Sequence, residues 1–168
     1  KRLTDAIHSY GAKASIQLGH CGNMTHFYTC GCCPVGASTG FNLYSPTFVR
    51  GLKVFEIKAL VKDFGKAVDM CREAGFDCVE IHAGHGYLIS QFISPYTNHR
   101  HDEYGGSLDN RMRFMRLVIE QEEGAILWHC SQGKDRTGMG AAYVLAALGC
   151  DVNTIVADYD LSNWQYSV

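Results

Sequence analysis

Strand-like and helical patterns alternate along this chain, and that alternation leaves few folds open to it. Short apolar stretches predict strands at residues 13–18, 76–82 and 125–129, and we expect the second of these to be buried. Apolar residues recur at helical spacing over residues 56–74, and Gly75 stands where the helix should end. Strands separated by helices are typical of a parallel α/β architecture. Three such strands could form a small parallel sheet through right-handed crossovers.

Four further helices are predicted from caps and apolar spacing. They cover residues 1–10, residues 107–122 with Ser107 as cap, residues 137–149, and a last segment capped by Asp151. Residues 19–51 are rich in Gly, Cys, Ser, Thr and Asn, so we expect a long loop there.

Size and charge exclude several classes of protein. The 168 residues suffice for one ordinary domain but not for a complete (β/α)₈ barrel of roughly 250 residues. The net charge of −2 gives no electrostatic basis for binding nucleic acid or a membrane. The first residues, Lys1 to Asp5, lack the apolar segment of a secretory signal, so we expect a cytoplasmic protein whose eight cysteines are reduced. Because the chain begins with Lys1 and not Met, we expect it to be part of something longer.

The longest motif spans two of the predicted elements. Residues 79–92 read VEIHAGHGYLISQF, followed by Ser94-Pro95 and by DEYGGS at residues 102–107. Residues 17–22, QLGHCG, end the first predicted strand. These strings resemble the NADH:flavin oxidoreductase (Old Yellow Enzyme) family, over about residues 1–120. The resemblance implies a partial (β/α) barrel, namely its third and fourth strands with their helices.

The resemblance also implies chemistry. Hydride from reduced FMN reaches an activated C=C bond, and negative charge develops on a conjugated carbonyl oxygen of a small-molecule substrate. His82 and His85 would donate hydrogen bonds to that oxygen, Tyr87 would protonate the neighbouring carbon as general acid, and Gln17 would bind the flavin ring. We expect FMN not to bind tightly, because the strands that hold its phosphate in this family do not occur in the sequence. Without the motif, each residue would be interpreted as a satisfied polar group at the edge of a core.

The loop between the first two predicted strands is rich in thiols and imidazoles. Such ligands suit zinc, but the spacing lacks the paired C-x₂-C arrangement of zinc sites. We therefore expect ordinary loop thiols and no metal. The residues concerned are His20, Cys21, His26, Cys30, Cys32 and Cys33.

A second motif lies near the end of the chain. Residues 129–138 read HCSQGKDRTG, a C-x₅-R loop between a predicted strand and a predicted helix. The helix N-terminus favours an anion and lowers the pKa of a thiol, so Cys130 is a candidate nucleophile and Arg136 a candidate phosphate ligand. With residues 155–163, the loop resembles the cysteine-dependent tyrosine/serine and lipid phosphatase family over about residues 122–168. That resemblance implies Asp135 as general acid and no cofactor. The implied substrate-binding residues are Gly133, Lys134, Thr137 and Gly138.

The two resemblances meet between about Ile119 and Gly124, which predicts two regions, residues 1–121 and 122–168. The apparent chimera is explained by a fusion in sequence assembly, a deliberate recombination or a natural fusion. We favour the first, because each part is truncated on its open side.

Three functions stay open. They are flavin-dependent reduction of activated alkenes, hydrolysis of a phosphorylated substrate through a phosphocysteine, and no catalysis with anion binding at most. Both families are enzymes, whereas the status of this chain as an enzyme and its oligomeric state stay open. Any surviving activity is expected to be slow aryl-phosphate hydrolysis.

Overall fold

The computed structural model describes residues 1–121 and 149–164, together with Gly138, Ala141, Ala142 and Leu145. The chain divides into two compact units, Lys1–Glu123 and Gly124–Val168. The first unit contains, in chain order, α1 (Arg2–Ser9), β1 (Ser15–Leu18), α2 (Phe27–Cys30), β2 (Val35–Gly36), β3 (Gly40–Asn42), β4 (Thr47–Gly51), α3 (Val54–Glu73), β5 (Cys78–Ile81), α4 (Leu88–Ile93) and α5 (Leu108–Ile119).

The described part of the second unit contains a helix, α6 (Val152–Trp164). Asp151 caps it, because one carboxylate oxygen accepts hydrogen bonds from the backbone N–H groups of Asn153 at 2.9 Å and Thr154 at 3.1 Å. The hydrogen bond from the Thr154 hydroxyl is the main cause that lowers the pKa of Asp151. The predicted cap is therefore confirmed.

The first and second predicted strands form a parallel pair. β1 and β5 are in register from Ser15 opposite Cys78 to Leu18 opposite Ile81, and α3 lies between them in the chain. Parallel pairing is the arrangement that the alternating pattern predicted. The expectation of a buried second strand was wrong, because Cys78 is exposed and the rest of β5 is only half-buried.

The third predicted strand, residues 125–129, lies outside the described residues, and so does most of the helix predicted over residues 137–149. A three-stranded parallel sheet therefore stays a prediction. No helix in the described part of the chain is both long and apolar enough to cross a membrane.

The segment expected to be a long loop contains regular structure. β2 pairs with β4 in parallel and β3 pairs with β4 in antiparallel fashion, which makes a small sheet of order β2-β4-β3. In β4, buried Thr47 and Val49 alternate with exposed Phe48 and Arg50. The alternation is too short to stand out in a sequence rich in turn formers, because β2 and β3 have only two and three residues.

The hydrophobic core lies among α3, α4 and α5. The ring of Phe92 lies 4.9 Å from that of Phe114 and 6.3 Å from that of Tyr104, measured between centroids. All three side chains are completely buried. The helical spacing seen over residues 56–74 buries Ile57, Val61, Phe64 and Cys71 on one face of α3.

The connection between α4 and α5 is held by buried and half-buried polar groups. The Asn98 side-chain amide donates to the carbonyls of Phe92 at 2.6 Å and Tyr104 at 2.7 Å. Arg100 donates to Asp102 at 2.9 Å and to the carbonyl of Ala37 at 2.8 Å. A Cβ on Gly105 would lie 2.2 Å from the carbonyl oxygen of Arg100, so only glycine fits there.

Candidate active site at the ends of β1 and β5

The segments that follow β1 and β5 lie side by side. The backbone N–H of His82 donates to the carbonyl of Leu18 at 2.8 Å, and that of Leu88 donates to the carbonyl of His20 at 2.9 Å. Side chains beyond the carboxyl ends of parallel strands therefore meet at one edge, where α/β folds place their sites.

A strained turn follows β5. His85 has φ of 55° and Gly86 has φ of 75°, so two consecutive residues are left-handed. His85 is the one residue other than glycine with positive φ in the described part of the chain. This conformation costs a non-glycine residue on the order of 1 kcal/mol, and such strain is concentrated at functional sites.

The turn brings three predicted site residues together. Nδ1 of His85 lies 3.2 Å from Nε2 of His82. The ring centroid of His82 is 5.0 Å from that of His85 and 5.1 Å from that of Tyr87. His85 is exposed, whereas His82 and Tyr87 are half-buried. We call these three residues the His–His–Tyr cluster.

The predicted flavin ligand lies on the exposed face of the strand pair. Gln17 is exposed, and its amide nitrogen donates to the carboxylate of Glu80, its neighbour in the sheet register. An amide and a carboxylate together offer a donor and several acceptors. This set fits the edge of a flavin ring, which carries both N–H and carbonyl groups.

Two residues of this region were missed by sequence reasoning. Glu80 was not singled out, and only its register opposite Gln17 reveals it. Gln91 is 2% exposed, and its amide nitrogen donates to the carbonyl of Gly86 at 2.6 Å and to Oδ1 of Asn23 at 2.8 Å. Gln91 thereby ties the turn after β5 to the segment after β1. An uncharged amide within the apolar stretch around Leu88 is the signal that could have revealed it.

Close backbone packing completes this connection. A Cβ on Gly22, which has φ of +60°, would lie 2.5 Å from the amide nitrogen of Gln91. Nδ1 of His20 accepts a hydrogen bond from the backbone N–H of Gly22 at 3.0 Å. Burial lowers the pKa of His20, which favours the neutral ring that this acceptor role requires.

The loop thiols considered as metal ligands are exposed. Cys21, Cys30, Cys32 and Cys33 carry no disulfide. Within residues 1–121 and the other described positions, no three His, Cys, Asp or Glu side chains are arranged to hold a metal ion.

Most of the predicted phosphatase loop lies outside the described residues, namely Cys130, Gly133, Lys134, Asp135, Arg136 and Thr137. Gly138 is described, and it is helical and half-buried. A Cβ at Gly138 would lie 2.8 Å from the ring of Tyr159, so packing alone accounts for a glycine at this position.

Comparisons with known proteins concern mainly the first unit. The sequence model of the NADH:flavin oxidoreductase / NADH oxidase family matches residues 1–141. An NADPH dehydrogenase of Bacillus subtilis (strain 168) is 42% identical over 120 residues, which cover 71% of this chain and 35% of that protein. A 4,4'-dithiodibutanoate disulfide reductase of Rhodococcus erythropolis is 40% identical over 120 residues, covering 71% of this chain and 30% of that protein.

Comparison with solved structures gives a similar result. The old yellow enzyme homologue from Zymomonas mobilis superposes with a TM-score of 0.67 at 41% identity, over 71% of this chain and 36% of that one. The chain thus spans about a third of the length of the curated relatives it matches.

The phosphatase resemblance of residues 122–168, and a chimera with it, stay predictions. The oxidoreductase family match extends to residue 141 and so includes the C-x₅-R loop at residues 129–138. The fold of the first unit, its His–His–Tyr cluster and this match lead to one conclusion. The chain belongs to the NADH:flavin oxidoreductase / NADH oxidase family.

Proposed function

We propose that this chain carries the substrate-binding and protonating part of an FMN-dependent ene-reductase that uses NAD(P)H. The observation that carries the proposal is the convergence of His82 Nε2 and His85 Nδ1, 3.2 Å apart, beside Tyr87. Small molecules with a carbonyl conjugated to a C=C bond are the substrate class that this cluster suits.

The two imidazoles form a site for one oxygen atom. Hydrogen bonds to oxygen span about 2.7–3.2 Å, so one carbonyl oxygen can lie within reach of both ring nitrogens. Both nitrogens must then carry a proton, which requires the Nε2–H tautomer of His82 and the Nδ1–H tautomer of His85. Without substrate, one ring donates to the other. Two donors stabilise the charge that develops on the oxygen.

Tyr87 is the proposed general acid. Tyr87 is the N-cap residue of α4, and its ring centroid lies 5.1 Å from that of His82. A phenol is neutral at physiological pH and can deliver a proton to the carbon beside the carbonyl. FMN, when bound, supplies the hydride, and Gln17 and Glu80 would hold its ring. Weak FMN binding stays a prediction, and stoichiometric flavin absorbance in the purified protein would contradict it.

The oxygen site can be tested without flavin. We would titrate the chain with 2-cyclohexenone and follow the ring-nitrogen chemical shifts of its histidines by NMR. The shifts of His82 and His85 should change together and saturate, because both N–H groups engage one oxygen. His99, which is exposed and belongs to the connection after α4, is the internal control.

Variants make this test decisive. His85→Asn keeps a donor and a residue type that tolerates left-handed backbone, so it should retain more affinity than His85→Ala. His99→Ala should bind like wild type. Equal affinity in wild type and the His82→Ala, His85→Ala double variant would refute the oxygen site.

A second candidate activity rests on the sequence motif alone. We infer from the C-x₅-R loop that Cys130 attacks a phosphomonoester to form a phosphocysteine, with Arg136 gripping the phosphate and Asp135 donating the proton. Slow hydrolysis of p-nitrophenyl phosphate should be abolished by Cys130→Ser and unaffected by Tyr87→Phe. Turnover that persists in Cys130→Ser would remove this candidate.

A further inference from the structure

Three exposed cysteines lie close together in the sequence at the end of α2. Cys30 is the last residue of that helix, Gly31 follows with φ of 71°, and Cys32 and Cys33 come next. The N–H of Gly31 donates to the carbonyl of Phe27 at 2.8 Å, which closes the helix. The left-handed glycine therefore reverses the chain between the first two thiols.

The geometry separates one pair from the third thiol. Sγ of Cys30 lies 3.1 Å from the carbonyl oxygen of Cys32, inside the same turn. Sγ of Cys33 instead lies 3.6 Å from the carbonyl of Phe48 in β4. Cys30 and Cys32 thus share one turn, whereas Cys33 faces the small sheet.

Chain geometry favours the same pair. Consecutive Cα atoms are about 3.8 Å apart, which is shorter than the separation of about 4.4–6.8 Å that a disulfide prefers. Cys32 and Cys33 are therefore poorly placed for a bond. Cα atoms two residues apart are at most about 7 Å from each other, and a turn shortens that distance into the favoured range.

The electrostatics distinguish the two members. A hydrogen bond with the Cys32 backbone is the main cause that lowers the pKa of the Cys30 thiol, and the side chains of Cys32 and Thr25 add to it. The hydrogen bond with Cys30 raises the pKa of Cys32. The two directions favour Cys30 over Cys32 as the thiolate, which is the nucleophile in disulfide exchange.

We propose that Cys30 and Cys32 form a reversible redox site that exchanges with low-molecular-weight disulfides such as glutathione disulfide. The Cys30 thiolate attacks one sulfur of the disulfide, the S–S bond breaks, and the first glutathione thiolate leaves. The Cys32 thiolate then attacks Sγ of Cys30 and expels the second. The two cysteines lose two electrons and two protons in total, and glutathione disulfide gains them as two thiols. A disulfide that closes so short and exposed a loop is readily reduced again.

The test uses the full chain in glutathione redox buffers, followed by alkylation of the remaining thiols and peptide mass spectrometry. Wild type should form the disulfide without retaining glutathione, and dithiothreitol should reverse it. Cys32→Ser should trap glutathione on Cys30, because no thiol resolves the mixed disulfide. Cys30→Ser should react about tenfold more slowly, since the thiol with the lowered pKa is gone.

Cys33→Ser is the matched control, and it should behave like wild type. Loss of the disulfide in Cys33→Ser would overturn the assignment of the pair. Glutathione that stays bound to wild type, or its failure to accumulate on Cys30 in Cys32→Ser, would overturn the exchange itself.

Discussion

The two faces of the β1–β5 pair differ in what holds them. On one face, Leu18 and Ile81 pack against the core formed with α3, α4 and α5. On the other, Gln17 hydrogen-bonds Glu80 on a surface open to solvent. Apolar burial stabilises the first face, while polar groups available for a ligand characterise the second. The residues that stabilise the first unit and the polar pair available to a ligand therefore lie on opposite faces of these two strands, and substitutions should separate stability from chemistry.

Phe92→Ala should give the largest loss of stability. Phe92 is completely buried between Phe114 and Tyr104, so truncation should lower the free energy of unfolding by about 3–5 kcal/mol. Urea unfolding followed by circular dichroism measures the change. Phe55→Ala is the control, because Phe55 is 67% exposed and should change the unfolding free energy by less than about 0.5 kcal/mol. Equal losses of unfolding free energy in both variants would contradict the claim that the buried core stabilises the first unit.

Asn98→Ala should have the next largest effect. It leaves the carbonyls of Phe92 and Tyr104 without the donor that now satisfies both, and each buried group left unpaired costs about 1–3 kcal/mol. The same urea titration should show the loss, with the neighbouring exposed His99→Ala unchanged. An unaltered urea midpoint in Asn98→Ala would mean that the two hydrogen bonds of Asn98 do not stabilise the first unit.

Acid should remove a smaller, electrostatic contribution. Arg50, and then the Lys53 backbone, lower the pKa of Glu56 from 4.5 to about 2. The folded state therefore favours the carboxylate, whose contribution is complete above pH of about 4.5 and is lost as pH falls towards about 2. Glu56→Gln should flatten the pH dependence of stability in that range, whereas Asp63→Asn on the same helix should leave the Glu56 contribution in place. The same curve in wild type and Glu56→Gln would disprove the assignment.

Tyr87→Phe should have the smallest effect on stability and a large one on chemistry. It removes only a hydroxyl from a half-buried ring, so the free energy of unfolding should change by less than about 0.5 kcal/mol. If Tyr87 is the acid, NADPH-dependent reduction of 2-cyclohexenone with added FMN should fall by about a hundredfold or more. Unchanged turnover would assign the proton to another group.

The candidate site was predicted in part. The motif after β5 identified His82, His85 and Tyr87, and the structure brings them together. The spacing of apolar residues predicted α3, and Ser107 caps α5 as expected, its hydroxyl accepting from the N–H of Asn110 at 3.3 Å. These features depend on residues within a few positions of each other, which is why local patterns reveal them.

Other features arise only from contacts between distant parts of the chain. Gln91 binds Asn23, 68 positions away, and Gln17 meets Glu80, 63 positions away. Neither pair has a local signature, because the parallel register and the packing of α4 bring the partners together. The small sheet within residues 35–51 was missed for a similar reason, since strands of two to five residues gain their stability from pairing and not from propensity. Local sequence thus determined the longer helices α1, α3, α5 and α6 and the motif residues. The short helices α2 and α4, of four and six residues, were not predicted. Long-range packing decided which polar side chains surround the motif.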